Sequence, residues 1–162
     1  MKKRTFVLLL TLVLSVALSA CSSNNKEAAI ESKVPAKEMA DQMLAQFEQP
    51  MLMELEAGMV QQLYHLDPAL LEQYTIRIPL MNVKTNEISI LKVKDAKDVA
   101  TVEAAVKQRA ADVQKQFETY LPDQYELSKN YKLVTKGNYV LFVISEKADE
   151  IVKSFDSFFE QK

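Results

Sequence analysis

One cysteine, one histidine and two glycines among 162 residues set the first limits on this chain. Cys21 alone can close no disulfide within the chain, so the fold has to be held by apolar burial rather than by covalent staples. His65 is the only imidazole, and its helical neighbours Gln61 and Gln62 offer no nucleophile or partner acid, which argues against imidazole-based catalysis. Gly58 and Gly137 stand alone, so there is no glycine-rich strand-to-helix loop in which backbone amides could cradle a phosphate. Basic residues are not in excess either: 20 Lys and Arg face 22 Asp and Glu, no footprint for nucleic acid.

What is present begins with an address. Lys2-Lys3-Arg4 precede an apolar run from Phe6 to Leu18 that is too short for a stable membrane span, so residues 1–20 read as a secretory signal peptide. The run ends in Leu18-Ser19-Ala20-Cys21, an order that resembles the lipobox of bacterial lipoproteins, in which a diacylglycerol is attached to the cysteine sulfur and a peptidase cuts just before it. That resemblance implies a mature chain starting at an acylated Cys21 and held at the extracytoplasmic face of the cell membrane. Two acyl chains, at about 0.8 kcal/mol per buried methylene, anchor far more firmly than one. Removing Lys2, Lys3 and Arg4 leaves 17 basic against 22 acidic residues, a formal charge of −5. Residues 21–34 are polar at their start and lack apolar periodicity, so they read as a flexible tether reaching roughly 20 Å from the bilayer.

Residues 35–162 then carry the patterning of a single α+β domain. Met39, Met43 and Phe47 mark a short helix ending at Pro50. Leu52, Leu55, Met59, Leu63 and Leu66 predict a second helix over 51–66, whose apolar arc is widened by Met53, Ala57, Val60 and Tyr64. Asp67-Pro68 signals a further short helix to about Tyr74. Ile76, Ile78 and Leu80 alternate in a strand that Pro79 assigns to a sheet edge. A turn at Lys84-Thr85-Asn86 leads into a return strand, Glu87 to Lys94, apolar on both faces. Asp98 should cap a long helix (Val99, Val102, Val106, Ala110, Val113, Phe117) closed by Pro122. Strands at 131–135 and 139–145 flank a tight turn at Lys136-Gly137-Asn138, and Ser145 should cap a last helix with Ile151, Phe155 and Phe159 on its buried side. Hairpin followed by helix thus occurs twice. The expected core is a four-stranded antiparallel sheet, ordered 1-2-4-3, with packed helices.

Tyr120-Leu121-Pro122 followed by Lys136-Gly137-Asn138-Tyr139-Val140, in a lipoprotein of this length and element order, resembles the bacterial family called domain of unknown function 4358. The resemblance spans about residues 35–160. It implies a cell-envelope lipoprotein and brings no activity or catalytic residue with it.

Other chemistries have plainer explanations. Ser23-Asn24-Asn25-Lys26 matches a serine-x-x-lysine string but lies in the tether, without a packed shell to orient it. Five methionines between Met39 and Met59, with His65, have the softness for copper(I), yet their spacing is what a core face requires. Asp95 and Asp98, and likewise Glu146, Asp149 and Glu150, sit where helices begin and complement the dipole there. Arg109 lies beside the apolar stripe of the long helix, where it should play a structural role by pairing with a carboxylate at a helix edge. No metal or cofactor is expected. The functional expectation is a lipid-anchored binding or interaction module, with Met53, Val60 and Tyr64 lining a groove for an envelope protein or a small apolar ligand. The alternatives are an envelope enzyme with catalytic residues not evident in the sequence and a structural accessory subunit of a membrane complex.

Overall fold

The computed structural model describes residues 30–160. Cys21, the expected signal peptide over residues 1–20 and the expected tether as far as residue 29 lie outside the described residues.

The two most apolar strands form the middle of the sheet. β3 (Glu87–Val93) and β5 (Tyr139–Ile144) are buried along their whole length and pair antiparallel. Such strands need cover on both faces, and alternation divides β5 accordingly. Val140, Phe142 and Ile144 enter one core; Tyr139, Leu141 and Val143 enter the other. β2 (Leu71–Pro79) flanks β3, β4 (Lys132–Lys136) flanks β5, and a three-residue strand, β1 (Leu52–Glu54), lies outside β2. The result is a five-stranded antiparallel sheet ordered β1-β2-β3-β5-β4.

Helices cover both faces. On one side α3 (Val99–Phe117) lays Val102, Val106, Ala110, Val113 and Phe117 over the sheet, joined by Val60 and Tyr64 of α2 (Ala57–Tyr64) and by α4 (Pro122–Lys129) at the rim. At about 1.5 Å per residue α3 is roughly 28 Å long. On the other side α1 (Ala36–Gln46) contributes Met39, Ala40 and Met43, and α5 (Ala148–Ser157) contributes Ile151 and Phe155. Each fully buried Val, Leu, Ile, Phe or Met contributes about 1.5–3 kcal/mol relative to exposure, so two shared cores make disulfides unnecessary. No helix among the described residues is long and apolar enough to cross a membrane.

The α+β class with an antiparallel sheet stands, but the expected four strands in the order 1-2-4-3 are corrected to five in the order above. The added strand is β1, which occupies the edge expected to be free. Pro79 does not prevent this, because it faces Leu52 in a non-hydrogen-bonded pair, between the bonded pairs at Met51/Leu80 and Met53/Ile78. Its missing N–H would point toward β3, beyond that strand's last pairing with β2 at Ile88.

The helix expected over residues 51–66 is likewise corrected. It is a strand, a two-residue link at Leu55–Glu56 and the short α2, with His65 closing the helix in the left-handed region at φ 52°. Asp67-Pro68 starts a single 3-10 turn, Pro68–Leu70, rather than a helix to Tyr74. Pro122 opens α4 rather than merely ending α3, taking the first-turn position where no N–H is needed. Asp98 makes no side-chain cap on α3, and the Ser145 hydroxyl accepts from the Lys147 amide just ahead of α5.

Candidate functional site

Three core-facing polar residues from three elements meet where α2, β3 and α3 converge. Tyr64 is the last residue of α2 and fully buried; Glu87 opens β3 and, by alternation, faces the α3 side with Ser89, Leu91 and Val93. Arg109 lies next to Ala110 on the inward stripe of α3. The guanidinium donates from Nη2 to Glu87 Oε2 at 2.7 Å and from Nε to both carboxylate oxygens at 3.1 and 3.2 Å. The Tyr64 hydroxyl donates to Glu87 Oε1, and the guanidinium carbon lies 5.8 Å from the Tyr64 ring centre.

Burial raises the Tyr64 phenol well above its ordinary pKa and the Glu87 charge pushes the same way, against the opposing pull of Arg109. Burial alone would lower Arg109, but Glu87 reverses the direction and holds it above the ordinary value. The phenol is therefore a fixed donor and the guanidinium a fixed cation at any physiological pH. With both oxygens engaged, Glu87 has no free lone pair aimed at a substrate proton and is not a ready general base.

Beside this triad opens a cleft of about 200 Å³. Leu63, Ile78, Val113 and Phe117 form its apolar wall, and Pro79 at the end of β2 with the β2–β3 loop (Met81, Asn82, Lys84, Thr85) forms its lip. Arg109 Nη1 is engaged by no described residue, and Lys84 forms no ion pair among the described residues. Lys84 is felt by Asp123 of α4, whose carboxyl is held below its ordinary range chiefly by Gln124, with Lys84 adding the smallest part. Thr85 is fixed from the same helix, its amide donating to Gln124 Oε1 at 3.1 Å. Met81 of the lip is 61% exposed, and Tyr120, whose ring centre lies 6.4 Å from that of Phe117, is 60% exposed.

The residues singled out in the sequence are not brought together. Val60 and Tyr64 are buried in the core under α2, whereas Met53 is exposed on β1. Met39 and Met43 are buried beneath α1 on the far side of the sheet from His65, which reaches Asp112 Oδ2 of α3 at 3.0 Å. Among the described residues no three His, Cys, Asp or Glu side chains gather as a metal-binding group. Asp95 accepts from the Lys97 amide, Glu146 binds Asn86 Nδ2 at 2.8 Å, and Asp149 pairs with Lys132 at 2.8 Å. Arg109 pairs with a central strand, not with a helix edge. Glu87 and Lys84 were not singled out at all. The signal for Glu87 was present, since a carboxylate and an arginine each occupied an inward position of an otherwise apolar pattern.

A second polar cluster lies at the other end of β3. Lys92 reaches Glu31 and Glu72, each at 3.0 Å, and its ammonium lies 5.2 Å from the centre of the Tyr139 ring. Burial would lower its pKa, but the two carboxylates raise it above the ordinary value.

No curated protein and no solved structure matches the chain. A family match covers residues 45–145, which contain all five strands, the Tyr64–Glu87–Arg109 triad and the cleft. On that span, more than half of its length, the chain belongs to the family described as Domain of unknown function (DUF4358).

Proposed function

We propose that this protein is a lipid-anchored extracytoplasmic binding module, acylated at Cys21, that receives its ligand in the cleft between the β2–β3 loop and α3. The anchor rests on the Leu18-Ser19-Ala20-Cys21 order at the end of a signal sequence. The observation that carries the binding reading is the cleft itself, in which an apolar wall adjoins a guanidinium only partly consumed by Glu87. Apolar surface with a few convergent polar groups is the usual make-up of a ligand site. An enzyme reading finds less support, because the carboxylate in the cleft is saturated and the nearby phenol is held protonated.

The test uses the full-length chain in its own membranes, with a photoreactive residue at Gln116 on the cleft or at Lys153 on α5. A discrete adduct from Gln116, absent from Lys153 and lost in Lys84→Met, is the expected result. Adducts of equal yield from both positions would defeat the cleft as the binding site. Acyl labelling that survives Cys21→Ala would defeat the anchor.

A further inference from the structure

The charge left over in the cleft narrows what it can hold. Glu87 is matched by the Nε and Nη2 edge of Arg109, so Lys84 leaves the lining one positive charge in excess, in a chain whose net charge is −2. Arg109 still presents Nη1 and the second N–H of Nη2, a pair of parallel donors that suits a planar carboxylate. A bare inorganic anion would satisfy that edge and leave Leu63, Ile78, Val113 and Phe117 facing water. The occupant therefore carries an apolar group next to its carboxylate.

Size and surroundings narrow it again. A cleft of about 200 Å³ is smaller than the roughly 300–1,000 Å³ of pockets that enclose a drug-sized ligand, so it takes about one amino-acid-sized group. Yet Met81 of the lining is 61% exposed, and Tyr120, 60% exposed, continues from the wall through its ring contact with Phe117 at 6.4 Å. A free amino acid would not reach them; a chain leading out of the cleft would.

From this charge, size and rim we infer that the cleft captures the carboxy-terminal end of an envelope polypeptide whose last residue is apolar. This rests on the binding reading above and specifies its ligand. The terminal carboxylate lies on the free edge of Arg109 within reach of the Lys84 charge. The last side chain enters between Ile78, Val113 and Phe117, and the preceding residues run over Met81 and Tyr120.

The experiment is calorimetric titration of the full-length chain in phospholipid nanodiscs with acetyl-Ala-Ala-Ala-Leu, its C-terminal amide, N-acetyl-leucine and octanoate. The free-acid peptide should bind at least about tenfold more tightly than each of the other three, a difference of about 1.4 kcal/mol. Lys84→Met, a loop variant that leaves the triad intact, should weaken the acid several-fold and leave the amide unchanged. Arg109→Lys, which keeps the charge and loses the parallel donors, should do the same more strongly. Equal binding of acid and amide would overturn the carboxylate assignment while leaving the cleft a binding site. N-acetyl-leucine or octanoate binding as tightly as the peptide would overturn the chain-end assignment. Binding of none of them at about 1 mM would overturn the inference altogether, and the membrane adduct at Gln116 would still report separately on the broader reading.

Discussion

Arg109 meets Glu87 side-on across the junction of α3 and β3, with Nη2 at 2.7 Å from one carboxylate oxygen and Nε spanning both. Their side chains are 13% and 1% exposed, so each charge relies on the other instead of on water. Attraction inside a protein is strong, but so is the loss of hydration, and the net value of such a pair is small compared with the penalty for breaking it.

Arg109→Met should therefore destabilise the protein by about 3–5 kcal/mol, because it strands the Glu87 charge in the core. Arg109→Met combined with Glu87→Leu should recover most of that loss. Urea unfolding of the wild type, the single variant and the double variant measures both. If the double variant were as unstable as the single one, the packing of Arg109 rather than its charge would be what matters.

Tyr64 gives the protein an alkaline dependence. Its folded pKa lies above the unfolded value, so the phenol contributes stability that is whole below about pH 10 and is lost as pH rises from there toward the folded value. In that window the unfolded chain binds fewer protons, and stability falls by up to about 1.4 kcal/mol per pH unit. Tyr64→Phe should be less stable at neutral pH through the lost hydrogen bond to Glu87, and its stability should fall less steeply above pH 10. Tyr139 and Lys92, also raised, are common to both proteins and cancel in the comparison. Parallel stability curves across that range would remove Tyr64 as the source.

The two glycines of the chain should respond in opposite directions. Gly137 has φ +55° at the first central position of the β4–β5 turn, and a Cβ there would lie 2.8 Å from the Ile30 carbonyl oxygen. Gly137→Ala should cost about 1–2 kcal/mol for the left-handed backbone alone and displace Ile30 as well. Gly58, in the first turn of α2, has nothing within 4 Å of the place an alanine methyl would take. Gly58→Ala should stabilise by up to about 1 kcal/mol by restricting the unfolded chain. Thermal unfolding of both variants decides the matter, and shifts of the same sign would contradict it.

Elements whose burial is simple were legible in the sequence. The stripe Val102, Val106, Ala110, Val113, Phe117 reports one long contact with the sheet, and the two-sided apolar runs of β3 and β5 report cover on both faces. Met51–Leu66 was not legible, because the 3–4 spacing of Leu52, Leu55, Met59 and Leu63 also arises when a strand and a helix follow each other along one edge. Pro79 concealed β1, since the sequence does not say on which side a proline's missing donor falls. The cleft was hidden for a related reason. Glu87 and Arg109 are 22 positions apart, and only the turn of the chain through β3 into α3 makes them partners.

The placement of Ile30 and Glu31 has a practical consequence. Ile30 packs on the Gly137 turn and Glu31 is held by Lys92 and Tyr139, all at the end of β3 remote from Glu87. From Glu87 to Lys92 the strand covers about 17 Å, so whatever is attached upstream of Ile30 joins the domain at the pole opposite the cleft. A sensor chip or bead coupled on that side leaves the mouth at Met81 and Tyr120 unobstructed. Coupling through Lys84 would plug it.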